Sequence, residues 1–197
     1  MEPSHFIFLI VITIYLFIRG TYMLRSSSNK KTFKNSNIRE NILVSLVAVS
    51  QLVLPLIFIF TPLLNWANYK LPIATTWLGL PVMVYALYLF WRSHADLGDS
   101  WSVKLELNLE HKLVDRGVYH LIRHPMYSSL FLLGIGQSLL LNNWLAGWAA
   151  LASFALLYRL RLPHEEAMML DLFGEEYRSY MERTGRIIPR LSRTKSA

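Results

Sequence analysis

The chain has 197 residues, of which 53% are apolar and only 17% are charged. A soluble domain of this size usually carries about a quarter charged residues, whereas here residues 42–69 and 124–158 contain no Asp, Glu, Lys or Arg. Each run exceeds the ~20 residues that a helix needs to cross a bilayer. The composition therefore excludes an ordinary soluble protein and predicts an all-α, multi-span integral membrane protein. Cysteine is absent, which excludes disulfides, thiolate metal sites and cysteine nucleophiles.

About five transmembrane helices are predicted along the chain. Arg19 interrupts the first span near its end, where its side chain can reach the interface. Pro55 predicts a kink in the second, and the pair Asn142-Asn143 predicts a turn between the last two. Those last two spans are short, so they could instead form one re-entrant hairpin. The predicted spans are residues 5–24, 42–64, 71–91, 126–141 and 144–160.

The distribution of Lys and Arg predicts the orientation. With five spans, the segments 25–41, 92–125 and 159–197 share one side and hold 5, 5 and 8 basic residues, whereas the other side has Lys70 alone. The positive-inside rule places the basic side, with the C-terminus, in the cytoplasm. The net charge of +7 then indicates anionic lipid headgroups as partners. Nucleic acid is not expected, because no basic segment carries interleaved stacking aromatics.

Two polar segments flank the predicted last hairpin. In the first, apolar and polar residues alternate from 103 to 109, which predicts a short strand or extended segment. Pro125 fits the first turn of the helix that follows. In the second, Arg161 and Glu165 are spaced i, i+4 and share a face of a continuous helix, and an amphipathic helix is predicted beyond them. Taken singly, an arginine such as Arg161 is more typical of an anchor at the membrane boundary, and a glutamate such as Glu165 of a solvent-exposed helix start.

Several kinds of site have no sequence motif here. HExxH and other paired-His spacings are absent, as are a Walker lysine loop and GxSxG, so no metal site or soluble-type nucleotide or hydrolase module is expected. Gly134-x-Gly136 lies inside an apolar span, and its small residues predict close packing between helices.

The order of the polar motifs narrows the function. The motifs run in the order His111-Lys112-Leu113-Val114, Gly117-Val118-Tyr119, Arg123-His124-Pro125-Met126-Tyr127, an apolar hairpin, Arg161, Glu165-Glu166 and Phe173-Gly174-Glu175-Glu176-Tyr177. This series, over residues 94–190, resembles the isoprenylcysteine carboxyl methyltransferase family of integral-membrane enzymes. Related methyltransferases acting on phospholipid amines share the RHPxY, paired-Glu and FGxxY signature, and sterol reductases share it more loosely.

The resemblance implies S-adenosylmethionine as the methyl donor, bound without a Rossmann fold in a cytosol-facing pocket around the last two spans. Arg161 matches the arginine that faces the substrate carboxylate. The positions that match the family's cofactor contacts are His111, Lys112, Leu113, Val114, Tyr119, His124, Pro125, Met126, Tyr127 and Glu165.

The resemblance also divides the chain into an N-terminal three-span segment, 1–91, and a methyltransferase core, 92–197, with its helical hairpin at 126–160. Because the N-terminus lacks the additional spans of animal members, the chain looks like a minimal, prokaryotic-type homologue. The expected acceptor is a lipidic or prenylcysteine-type carboxylate, which is converted to a methyl ester.

The residue chemistry is compatible with this activity. A carboxylate is already ionised at neutral pH, so it needs a cation such as the bidentate fork of Arg161 and no base. Phospholipid amine N-methylation is the alternative; there a base such as Glu166 or His124 takes a proton, and the rate rises with pH. A non-enzymatic membrane protein that binds anionic lipid or a partner also stays open, and a reductase is the most distant possibility.

Overall fold

The computed structural model describes residues 2–28, 38–98 and 113–190. These segments are mainly helical, as predicted, and the described part of the chain contains no β-strand. The predicted extended segment at 103–109 lies outside the described residues, as do His111 and Lys112. The α-helices are α1 (Pro3–Ser28), α2 (Ile38–Ala48), α3 (Leu54–Phe60), α4 (Ala74–Leu97), α5 (Pro125–Leu140), α6 (Trp144–Phe173) and α7 (Glu175–Arg183).

Four helical stretches within the described residues are long and apolar enough to cross a membrane. They are Pro3–Arg25, Ile38–Phe60, Ala74–Leu97 and Trp144–Phe173. The remaining predicted span is α5, whose 16 residues measure about 24 Å at 1.5 Å per residue, less than the ~30 Å hydrocarbon core. It packs along α4 and α6. An all-α integral membrane fold is thus confirmed, and its shortest predicted span, α5, packs between α4 and α6.

The last span is longer than predicted. Its end was expected at residue 160, but α6 continues through Pro163 to Phe173 without a break. It ends at Gly174, whose φ of +53° lies in the region that favours glycine. The amphipathic helix predicted beyond this span is therefore divided, since its first part is the end of α6 and its second part is α7.

The second span contains a π-helical segment, Val49–Val53, which joins α2 to α3 just before Pro55, where a kink was predicted. Two polar residues in it are buried and reach other helices. Gln51 Nε2 donates to Gln137 Oε1 on α5 at 2.9 Å, and the Ser50 and Ser153 hydroxyls are 2.6 Å apart. The irregular turn thus presents polar groups to α5 and α6, which ties this span to the hairpin.

The glycines of α5 pack against its two neighbours, as predicted. A Cβ added at Gly136 would lie 2.3 Å from Met83 Cγ on α4, and one at Gly134 would lie 3.1 Å from Leu151 Cα on α6. Larger side chains at either position would push the helices apart.

Asn143 fixes one end of the helical bundle. Its side-chain oxygen accepts hydrogen bonds from the backbone N–H groups of Leu145 and Ala146, which caps α6. Its amide nitrogen donates to Leu64 O at 2.6 Å and to Asn68 Oδ1 at 2.8 Å. The predicted turn between α5 and α6 is confirmed, and it also anchors the loop before α4. The predicted site residues lie at the opposite ends of these helices.

Candidate functional site

The predicted site residues converge where the start of α5 meets the second half of α6. The Tyr127 hydroxyl donates to Glu165 Oε1 at 3.0 Å, and Arg161 Nε lies 2.7 Å from the same oxygen. His124 Nδ1 lies 3.8 Å from Glu165 Oε2. Two motifs that are distant in sequence therefore share one carboxylate.

Local structure explains how these side chains reach each other. His124 is the N-cap residue of α5, and Pro125 occupies the first turn, where its missing N–H costs nothing. The His124 N–H donates to Arg186 O at 2.9 Å, which fixes the entry to α5. Met126 packs against the core at the start of this helix. On α6, the i, i+4 spacing places Arg161 and Glu165 on one face, as predicted.

Glu166 is the centre of a second, more deeply buried ionic cluster. Its Oε1 accepts hydrogen bonds from Arg123 Nε and Nη2 at 3.3 and 3.2 Å, and its Oε2 lies 2.8 Å from Arg186 Nη2. His124 Nε2 lies 3.5 Å from Oε1. The imidazole of His124 therefore lies between the two adjacent carboxylates of α6.

Arg123 joins this cluster to the C-terminal segment. Its Nη1 donates to the backbone oxygens of Met181 and Thr184 at 3.0 and 2.5 Å, and its own N–H donates to Gly185 O at 2.8 Å. Sequence reasoning assigned no role to Arg123, although it belongs to the RHPMY motif. Nothing in the sequence indicates that residues 184–186 return to pair with this motif.

Tyr119 packs beside the site. It lies in a 3₁₀ helix, Gly117–His120; its hydroxyl donates to Ser93 O at 3.2 Å, and its carbonyl accepts from the Tyr180 hydroxyl at 2.6 Å. Burial raises the pKa of Tyr119, and it raises the pKa of Tyr177 to about 12, so both phenols stay protonated. Leu113 and Val114 are half-buried in the segment leading to this helix.

Asp96 holds the 3₁₀ helix in place, a role that sequence reasoning missed. Its Oδ2 accepts the Val118 N–H at 2.9 Å, and its Oδ1 pairs with Arg92 Nη2 at 2.6 Å. Gly117 has a φ of +59°, and a Cβ there would lie 2.2 Å from Asp96 Oδ2. The only sign of this contact in the sequence was Gly117, which lies two residues before Tyr119 of the predicted site.

An apolar cleft between α2 and α6 opens beside Arg161. It has a volume of about 240 Å³ and is lined by Arg39, Glu40, Leu43, Leu157, Leu160, Arg161 and His164. Arg161 Nη1 lies 3.5 Å from Glu40 Oε1 across the cleft. Three leucines thus form an apolar wall that ends at a permanent cation. Such a cleft suits a molecule with an apolar chain and an anionic head.

No group of three or more His, Asp or Glu side chains is arranged to hold a metal ion among residues 2–28, 38–98 and 113–190.

The family model and the curated relatives that match this chain concern the same kind of enzyme. Residues 77–171 match the isoprenylcysteine carboxyl methyltransferase (ICMT) family. A protein-S-isoprenylcysteine O-methyltransferase from Tribolium castaneum is 36% identical over 87 residues, which are 44% of this chain and 31% of that protein. The Homo sapiens protein of the same name is 32% identical over 119 residues, 58% of this chain and 42% of that protein. A probable protein-S-isoprenylcysteine O-methyltransferase from Oryza sativa subsp. indica is 31% identical over 87 residues, covering 44% and 46%.

A solved structure shares the fold over nearly the whole chain. The eukaryotic intramembrane Ras methyltransferase ICMT aligns with a TM-score of 0.63 and 24% identity, covering 96% of this chain and 68% of that one. The chain spans less than half the length of the curated relatives that it matches. The family resemblance indicated by the motifs is confirmed over residues 77–171.

Proposed function

We propose that this chain is a membrane methyltransferase that uses S-adenosylmethionine to convert the carboxylate of a lipidic or prenylcysteine-type acceptor into a methyl ester. The observation that carries the proposal is the position of Arg161 at the polar end of the apolar cleft between α2 and α6. The family match over residues 77–171 and the activity named for the curated relatives support it.

The residues around Glu165 fit a cationic methyl donor. When bound, S-adenosylmethionine supplies a methyl group activated by a positively charged sulfur. Glu165 offers a carboxylate, Tyr127 an aromatic face, and His124 an Nε2 atom that is buried without a well-aligned hydrogen bond. We assign the donor site to His111, Lys112, Leu113, Val114, Tyr119, His124, Pro125, Met126, Tyr127 and Glu165, of which the first two lie outside the described residues.

Arg161 binds and orients the acceptor in this scheme. Its guanidinium presents a planar, permanently charged fork that pairs with both oxygens of a carboxylate. Because that carboxylate is ionised at neutral pH, no side chain has to remove a proton before transfer. Arg161 then contributes by aligning the reacting groups. Such alignment can remove a large part of the activation barrier of a reaction between two molecules.

The orientation follows from the basic residues. The α5–α6 site lies at the ends of α4 and α6 that the sequence assigns to the basic side, where the segments 25–41, 92–125 and 159–197 hold 5, 5 and 8 basic residues. The positive-inside rule places this end in the cytoplasm, where the methyl donor is dissolved and anionic headgroups surround the protein. The acceptor enters from the bilayer side of the cleft.

Arg161→Ala tests the assignment, with Arg159→Ala as its matched control. Arg159 is an exposed arginine two residues away on the same helix. We expect Arg161→Ala to lower kcat/KM for S-farnesyl-N-acetylcysteine by about 30-fold or more, since removing one partner of a hydrogen-bonded charge pair costs about 2–5 kcal/mol. Calorimetric binding of S-adenosylhomocysteine should persist. The assay measures base-labile methyl ester formed by the full chain in detergent.

The outcome separates the competing functions. Ester formation that is unchanged in Arg161→Ala contradicts the role of Arg161. If the parent makes no ester but methylates phosphatidylethanolamine, with a rate that rises with pH, the amine alternative is correct. If the folded parent does not bind S-adenosylhomocysteine, the chain is not a methyltransferase.

A further inference from the structure

The guanidinium of Arg161 is already in contact with two carboxylates of the protein. Its Nε lies 2.7 Å from Glu165 Oε1, and its Nη1 lies 3.5 Å from Glu40 Oε1. The three groups together carry a formal charge of −1. The charge of Arg161 is therefore already neutralised by the two glutamates, and both glutamates repel an acceptor carboxylate that approaches it. Pairing of an anion with Arg161 is therefore favoured when one of them moves away.

The two glutamates differ in how firmly they are held. Glu165 lies on the same helix as Arg161 and also accepts the Tyr127 hydroxyl at 3.0 Å. Glu40 comes from α2, and its 3.5 Å contact is longer than the ~2.7–2.9 Å of a well-formed charged hydrogen bond. It lies in the first turn of α2, where the helix dipole favours a carboxylate even after it leaves Arg161. Glu40 is therefore the carboxylate that is easier to displace.

Glu40 also stands where the head of an acceptor would lie. It lines the same cleft as Arg161, whose apolar wall is formed by Leu43, Leu157 and Leu160. An acceptor whose chain lies along these leucines brings its polar head to the Arg161–Glu40 contact. Burial of that chain provides binding energy that can be used to break the contact.

We propose that Glu40 occupies the place of the acceptor carboxylate at Arg161 and is displaced when the acceptor binds, which makes it a specificity-determining residue. This inference rests on the proposed function, because it requires an anionic acceptor. Glu40 competes with a carboxylate head, whereas it would attract the positively charged head of an amine acceptor. The sign of its effect on the acceptor KM therefore reports the charge of the head group.

Glu40→Gln tests this inference, because it removes the charge with little change in shape. We expect the KM for S-farnesyl-N-acetylcysteine to fall about two- to fivefold in the full chain, as a part-exposed competing ion pair is lost. Glu40→Asp keeps the charge but withdraws it by one methylene, so its KM should lie between those of Glu40→Gln and the parent. Glu175→Gln is the matched control, since it breaks an exposed ion pair with Arg178 on α7. Its acceptor KM should equal that of the parent.

Each result decides between stated interpretations. If ester is formed but Glu40→Gln leaves the acceptor KM unchanged, Glu40 does not compete, and the inference fails while the proposed function stands. If Glu40→Gln raises the acceptor KM and lowers the thermal unfolding midpoint, the contact is a tether between α2 and α6, and the inference again fails. If the parent methylates only phosphatidylethanolamine, and Glu40→Gln raises the KM for that amine, both the proposed function and the inference are overturned.

Discussion

Arg123→Met removes the residue that joins the start of α5 to α6 and α7. The substitution deletes hydrogen bonds to two backbone oxygens, those of Met181 and Thr184, each worth about 1 kcal/mol. It also breaks a buried ion pair with Glu166, a change that costs about 3–5 kcal/mol when the remaining charge is left unpaired. Arg186 stays 2.8 Å from Glu166, which reduces that cost. We therefore expect a loss of about 2–4 kcal/mol in the free energy of unfolding, or roughly 4–16 °C in Tm for a chain of this size.

Thermal unfolding of the detergent-purified protein measures this loss. Arg178→Met is the control, because it removes an exposed arginine whose ion pair with Glu175 is 66% and 84% exposed at its two side chains; such pairs contribute at most about 1 kcal/mol. The double variant Arg123→Met/Glu166→Gln should recover part of the loss, because the buried carboxylate is then neutral. If Arg123→Met unfolds at the same temperature as Arg178→Met, the structural role assigned to Arg123 is refuted.

Two further changes test the packing around the site. Gly117→Ala should destabilise the fold by about 2–3 kcal/mol, since its positive φ is unfavourable for Ala and its Cβ would displace the Asp96 carboxylate. Gly98→Ala, at a similar φ of +54° and with no atom of the described residues within 4 Å of the added Cβ, should lower the melting temperature less, because no neighbouring carboxylate is displaced. Gln137→Leu should cost about 1–3 kcal/mol, because it removes the interhelical hydrogen bond with Gln51 and two to backbone oxygens; a Tm equal to that of the parent would contradict a stabilising role for this network.

The membrane helices were predictable from the sequence because their signal is local. Runs of apolar residues without charge predict spans wherever they occur, and small residues such as Gly134 and Gly136 predict close helix contacts. The end of the last span was predicted at residue 160, beside the first charges, whereas the helix itself continues to Phe173. In the structure Arg161 and Glu165 are half-buried and Glu166 is buried on the same continuous helix, and Glu166 pairs with arginines from other segments.

The ionic clusters were only partly predictable, because their partners are distant in sequence. The i, i+4 pair of Arg161 and Glu165 follows from helical spacing alone. The contact between Arg161 and Glu40 does not, since it requires α2 to pack beside α6. The role of Asp96 likewise depends on the 3₁₀ helix folding back onto the end of α4. The family motifs drew attention to the C-terminal half of the chain, and Glu40 lies outside it.

The two ends of the helical bundle use different kinds of polar contact, and this difference indicates where a ligand can bind. At one end, Asn143 is fully buried, and each of its side-chain groups makes hydrogen bonds of 2.6–3.1 Å to neutral partners. A ligand could enter there only by breaking well-formed bonds in a buried place, which is costly. At the other end, His124 and Arg161 face carboxylates at 3.5–3.8 Å in three contacts. These side chains gain less from contacts of this length than from a well-aligned ligand. Exchange of a protein carboxylate for a ligand is therefore favoured at the Arg161 end, beside the apolar cleft.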